Sequence, residues 1–339
     1  MSQQAPPGVP QPGVVTKQQL RHERAIAPGD SRRGVIGKRR RIPTHIWFLL
    51  PGLILYLMFF IGPMFSAFRL SLTDWPGIGT TMHFVGLRNF ADALTDFQVY
   101  RSLFHNLGFF ALIFVLQNTV GLGLALALNA RLFGHQIHRT LLYLPAILSL
   151  VVTGFLWELM LNPQIGIVNP FLKDIGLSGL QQIWLGDPSL SLVVTILVQG
   201  WQWMGLPIVV YLAGLQSIPR ELTEAAMIDG AGRWGVLWRV TFPLLAAPFT
   251  TLTIFCFIVM FRVFDIVYVL DGPLGEPDGS TTTIGTVMIQ YAFGGLGGNA
   301  NEMPRMAYAM AIGVWSFVFL GVIAGTGLLL LRRREVSFS

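Results

Sequence analysis

The chain has 339 residues, of which 53% are apolar and only 12% charged, with a formal net charge of +6 and a mean hydropathy of +0.60. Water-soluble domains carry roughly 25% charged residues, so this composition excludes a soluble enzyme and points to an integral membrane protein. A single cysteine, Cys256 in an apolar run, excludes an internal disulfide and a cysteine-based metal site, and reads as a small core or lipid-facing residue.

Residues 1–43 are rich in Gln, Pro, Gly and basic residues and have no apolar periodicity, the pattern of a disordered basic tail. No apolar stretch with a small-residue cleavage site follows the start, so no cleaved signal peptide is expected. Arg39, Arg40 and Arg41 directly precede the first apolar run. They read as a topological anchor, with specific binding of anionic lipid as the alternative.

A helix needs about 20 mostly apolar residues to cross the hydrocarbon core. Six stretches qualify, near 47–70, 103–129, 140–161, 190–214, 244–268 and 307–331; Pro145 and Glu158 interrupt the third, Gln199 and Gln202 the fourth. With the N-terminus inside, the inner segments beyond the tail hold eight basic residues, from Arg131 to Arg334, against Arg88, Arg101, Lys173 and Arg305 outside. The positive-inside rule then places both termini and the loop 215–243 in the cytoplasm. The organisation expected is a tail over 1–43, a transmembrane domain over 44–332 with that loop, and a short inner tail over 333–339. The outer segments near 71–102, 162–189 and 269–306 are long enough to dock an extracytoplasmic protein; plain connecting loops are the alternative.

The inner loop carries the most information. Pro219 suits a first helical position, where its missing N–H has no partner. Glu221 and Glu224 fall in the first turns, where the helix dipole favours negative charge. Leu222, Ala225, Ala226 and Asp229 share one face by their spacing, and Gly230 stands where a left-handed glycine would close the helix. A second short helix is expected from Gly232 to Val240, with Pro243 introducing the fifth span. A tidy connecting loop is the alternative, although almost thirty residues are many for that purpose.

Glu224-Ala225-Ala226, three residues, Gly230, nine residues, then Val240-Thr241-Phe242-Pro243 resembles the signature loop of binding-protein-dependent ABC transporter permeases. Val and Phe replace that family's Ile and Leu at the ending. The resemblance covers about 47–331 and is nearest to the carbohydrate-uptake branch, the maltose and glycerol-phosphate type. Leu70-Ser71-Leu72-Thr73-Asp74-Trp75, Phe84-Val85-Gly86-Leu87-Arg88-Asn89-Phe90, Ala213-Gly214-Leu215-Gln216-Ser217-Ile218-Pro219 and Phe264-Asp265-Ile266-Val267-Tyr268-Val269-Leu270 carry it. Asp271-Gly272-Pro273 departs from the glycine-rich turn that often follows in that family.

The resemblance implies an all-α membrane protein of six transmembrane helices in the type I ABC importer permease arrangement, multi-pass in a bacterial inner membrane. It implies that Glu224, Ala225, Ala226, Asp229 and Gly230 couple to an ATPase. It further implies as partners a second homologous permease, ABC ATPase subunits and an extracytoplasmic sugar-binding protein; no nucleic acid is expected. The chain has no Gly-x-x-x-x-Gly-Lys-Ser/Thr loop, its only Gly-Lys being Gly37-Lys38, so ATP and Mg belong to the partner ATPase and no cofactor is expected here. The six histidines lack metal-ligand spacing. Neither a catalytic nor a metal site is expected.

Polar groups in a bilayer are costly and usually face a bundle interior or cavity. In the fourth span, Gln199, Trp201, Gln202 and Trp203 are candidates for the substrate pathway, since glutamines can bond sugar hydroxyls and indoles can pack on a pyranose face. Interhelical bonding and space-filling are the alternative. Gln117 and Asn118 read as interhelical glue. Arg262 and Asp265 stand three apart on one expected helical face and could pair there, which reads as a structural or gating role, with proton coupling as the alternative. Gly121, Gly123, Ala125 and Ala127 permit close helix packing, against a second permease among other partners. The function expected is import of a sugar driven by ATP; a secondary transporter or channel is the alternative.

Overall fold

The computed structural model describes residues 44–130, 135–294 and 303–332. The tails read from the sequence at 1–43 and 333–339, with Arg39 to Arg41 and Arg131, lie outside the described residues. Contacts divide the chain into two units, Met1–Tyr56 and Leu57–Ser339. The first contributes the helix Thr44–Tyr56. The second begins with a π-helical turn, Leu57–Ile61, that runs into the helix Gly62–Leu70. Among the described residues all regular structure is helical apart from an isolated bridge, Thr73 to Phe84.

Three helices are long and apolar enough to span a membrane, Phe48–Leu70, Phe97–Asn129 and Met306–Leu331. Three bent pairs supply the other spans. The third span breaks by 98° between Ile147 and Leu150, the fourth by 45° at Met204, and the fifth by 62° at Leu245. Each break has a local cause. Ser149, four residues after Pro145 and two after the preceding helix ends at Ile147, turns extended and accepts the Val152 N–H, capping a new helix from Leu150. Met204 and Leu245 lie three residues before Pro207 and Pro248, whose missing N–H groups and ring clashes remove a hydrogen bond in that turn.

Two expectations are corrected here. Pro243 does not open the fifth span. The helix from Arg233 continues through it, a π-helical stretch at Leu237–Thr241 widening the turn where the proline ring would otherwise crowd a carbonyl. Arg262 and Asp265 do not share a helical face, because the helix ends at Phe261 and a new one starts at Asp265 after Phe264 at φ −145°, ψ −55°. The segment 269–306 is also more than a loop. It contains the helix Ile284–Phe293, which buries Ile284 and Val287 with Val99, Phe257, Tyr308 and Ile312 of the second, fifth and sixth spans.

Lipid tails are as apolar as leucine, so the bundle is held by close packing and a few polar bonds rather than by a hydrophobic drive. Toward the outer side, Phe109 and Ile113 pack with Ile196, Cys256, Met260, Ile266 and Val267, which places Cys256 in the core. Toward the inner side, Leu122 and Ala125 pack with Ile208, Tyr211, Leu215 and Leu252. Small residues set the spacing. A Cβ on Gly154 would lie 2.5 Å from Val269 Cγ1, and one on Gly214 would lie 2.6 Å from Pro248 Cγ. In the second span Gly121 and Ala125 are buried within this chain, whereas Gly123 and Ala127 are exposed.

Candidate functional site

The inner loop folds as two helices. The first is Arg220–Ile228, with Pro219 in extended conformation as its N-cap rather than inside it, Glu221 in the first turn and no residue buried. Asp229 is the C-cap. Gly230 follows at φ +85°, its N–H donating to the Met227 carbonyl at 3.0 Å while the Ala231 N–H donates to Ala226 at 2.9 Å. These two bonds are the paired closure of a Schellman motif, which requires the left-handed backbone that glycine adopts without steric cost.

The helix has two distinct faces. Arg220, Thr223, Glu224 and Met227 line a cleft of about 980 Å³ together with the inner ends of the second span (Leu126, Leu128, Asn129, Ala130) and fourth span (Leu215, Gln216, Ile218). Leu222, Ala225, Ala226 and Asp229, on one face by their spacing, therefore lie opposite to Glu224. Ile228, Met227, Trp234 and Trp238 add large exposed apolar groups to the same loop.

The four pathway candidates of the fourth span separate. Gln202 donates from Nε2 to the Leu148 carbonyl at 2.8 Å, across the break in the third span. Trp203 donates to Gln117 Oε1 at 3.2 Å. Both are tied to neighbouring helices. Trp201 is exposed and meets Trp157 edge-on, ring centroids 5.6 Å apart. Gln199 is buried, its Oε1 has no hydrogen-bond partner among the described residues, and it lines a recess of about 200 Å³ with Arg262 and Asp265. In the second span Gln117 accepts from Trp203, and Asn118 Oδ1 accepts from the Tyr211 hydroxyl, so both link helices.

The outer side carries polar clamps that sequence reading did not single out. Asn106, buried in the second span, donates to the Met260 carbonyl at 2.8 Å and accepts the Ile284 N–H at 2.9 Å. Asp96 Oδ2 accepts from the Tyr291 and Tyr308 hydroxyls at 2.6 and 2.7 Å, and the Arg305 guanidinium lies over the Tyr308 ring at 4.1 Å. Asn89 donates to the Ser71 and Thr73 carbonyls at 2.8 and 2.7 Å, joining two of the segments that carry the family resemblance. Asp271, just beyond the helix Asp265–Leu270, accepts from Thr195 at 2.8 Å. Burial pushes its carboxyl up to about 7, against the lowering pull of the Thr195 and Thr281 hydroxyls. The only sequence signal for these groups is a polar residue in or beside an apolar run; their partners lie as far as 212 residues away.

With this geometry in hand, the relatives are informative. Residues 117–334 match the family described as the binding-protein-dependent transport system inner membrane component. The chain is 30% identical over 303 residues to the multiple sugar-binding transport system permease protein MsmF of Streptococcus mutans, covering 88% of this chain and 99% of that one. It is 34% identical over 254 residues to the trehalose/maltose transport system permease protein MalF of Thermococcus litoralis, covering 75% and 85%. A crystal structure of a bacterial ABC transporter involved in importing the acidic polysaccharide alginate has a chain that superposes with a TM-score of 0.71 at 26% identity, covering 85% of this chain and 95% of that one. The chain therefore belongs to the family of binding-protein-dependent transport system inner membrane components, as a multi-pass permease subunit of an ABC importer rather than an enzyme.

Proposed function

We propose that this permease subunit imports a sugar, oligosaccharide or related carbohydrate, using ATP and Mg bound by a separate ATPase that grips Glu224, Ala225, Ala226, Asp229 and Gly230. The observation that carries the coupling assignment is the helix Arg220–Ile228. It buries none of its residues, is closed sharply at Gly230, and borders an open cleft next to the inner ends of two spans. A helix held out without a core of its own is available to a partner. Movement there reaches the fourth span directly through Ile218 and Pro219 and the fifth through Arg233–Leu244. ATP-dependent closure of the ATPase pair would bias a two-state bundle through differential contacts at this loop.

Sugar as the cargo is supported by the relatives' names and by chemistry in the fourth span. Gln199 and Trp201 are the two candidates left free to meet a hydroxylated ligand, with Arg262 and Asp265 beside Gln199. Gln202 and Trp203 hold the helices around them in place. The outer segments would receive the loaded binding protein, and a second homologous permease would complete the cavity. Substitution Glu224→Lys is expected to abolish uptake and ATPase association while membrane insertion stays intact; wild-type transport by that variant overturns the coupling assignment. Trp201→Ala and Gln199→Leu are expected to lower uptake with assembly unchanged. If uptake in both stays at the wild-type level, the pathway assignment fails without touching the loop.

A further inference from the structure

The second helix of the inner loop presents a surface that coupling to an ATPase does not use up. Trp234 and Trp238 are 74% and 61% exposed, and Phe242 is also exposed. They recur every fourth residue. The π-helical turn at Leu237–Thr241, with an extra residue in its turn, keeps Phe242 against Trp238, ring centroids 5.3 Å apart and 38° between planes. Val236, by contrast, is buried. The helix is thus two-sided, one side set into the protein and the other an aromatic strip.

Its charge and direction identify what covers the strip. Arg233–Leu244 carries Arg233 and Arg239, both exposed, and no acidic residue. It is continuous with the fifth span but bent from it by 62°, so where that span crosses the bilayer the helix runs along the inner surface rather than away from it. Phe242 stands at the entry to the span, which makes the aromatic strip an extension of a surface already in lipid. Indole rings favour the headgroup level of a membrane, and arginines on an interfacial helix meet the anionic lipids of the cytoplasmic leaflet.

We propose that Trp234, Trp238 and Phe242 seat this helix in the headgroup region of the inner leaflet, with Arg233 and Arg239 against anionic phospholipid. The seat gives the loop a fixed arm. Displacement of Arg220–Ile228 then turns the fifth span about the bend at Leu245 instead of sliding the whole loop. The inference goes beyond the ATPase assignment and holds or fails separately from it.

The test uses the full-length subunit in nanodiscs of phosphatidylcholine and phosphatidylglycerol with brominated acyl chains, which quench nearby indoles. The chain has nine tryptophans, so the emission of wild type minus that of W234F/W238F isolates the two in question. The difference emission is expected to be quenched, with and without added ATPase subunits. Absence of quenching overturns the proposal, and so does quenching that disappears when the ATPase binds, since the strip would then be ATPase surface. In R233Q/R239Q, the stronger quenching in anionic over neutral discs should be lost; if that preference persists, the anionic-lipid contact is wrong. Glu224→Lys, which tests ATPase coupling, is expected to leave the quenching unchanged.

Discussion

At the residue scale, Gly230 and Asp271 show two ways a single position carries the design. A Cβ at Gly230 would meet nothing within 4 Å, so the constraint is conformational alone. Holding a non-glycine residue in the left-handed region costs about 1–2 kcal/mol, and a β-branched residue fares worse. Gly230→Val is therefore expected to fray the end of Arg220–Ile228 and weaken stimulated ATPase activity, while Gly230→Ala does so more mildly. Amide exchange at Ala226–Ala231 is the direct measurement, and wild-type protection in Gly230→Val would contradict the Schellman closure. Asp271 is constrained by burial. Its carboxyl sits at about 7 against an ordinary 3.8, so the folded protein holds a proton that the unfolded chain releases. The resulting stabilisation is complete below pH 3.8, declines as pH rises above it and is lost through pH 7. In detergent, wild type is expected to lose melting temperature relative to Asp271→Asn as pH rises from 4 to 8. Parallel profiles for the two proteins would show that Asp271 does not titrate in this way.

At the scale of elements, packing between helices rests on where a side chain is missing. Gly154 in the third span lets the helix Asp265–Leu270 approach until Val269 occupies the space of a Cβ. Gly123 in the second span has open space around it. The same substitution is thus expected to act with opposite sign. Gly154→Ala should destabilise the isolated subunit by about 1–3 kcal/mol through overpacking, whereas Gly123→Ala should be neutral or stabilise by up to about 1 kcal/mol through helix propensity. Thermal unfolding of the two variants in one detergent compares them directly, and equal shifts would rule out the close approach at Val269. The polar links Gln117–Trp203 and Gln202–Leu148 are each worth only about 0.6 kcal/mol on average in a membrane bundle. They orient helices more than they hold them together. Of the four candidates in the fourth span, Gln202 and Trp203 make such links.

At the scale of the molecule, the broken spans decide how force passes through the subunit. The fourth and fifth spans bend at Met204 and Leu245, and the inner loop joins those two spans. A displacement of the loop therefore arrives at two bends rather than at rigid rods. Replacing Pro248 by Ala restores a hydrogen bond in the turn at Leu245 and is expected to straighten the fifth span. Uptake should fall while ATPase association is retained, and full uptake by Pro248→Ala would remove this bend from the transport cycle.

The sequence by itself determined the class, the spans, their direction and the inner loop, because each rests on local rules. Apolar length, arginine asymmetry and the order Pro219, Glu224, Gly230 are readable without knowing any contact. It did not determine the pairing expected of Arg262 and Asp265, since spacing on a helix says nothing once the helix stops between them. Nor did it sort Gln199 and Trp201 from Gln202 and Trp203, or reveal the clamps at Asn106, Asp96 and Asp271. Those depend on which helix faces which, and the partner groups are 54 to 212 residues apart. Only the tertiary structure brings them within hydrogen-bonding distance, because a polar side chain taken out of water is satisfied by whatever group the packing places beside it.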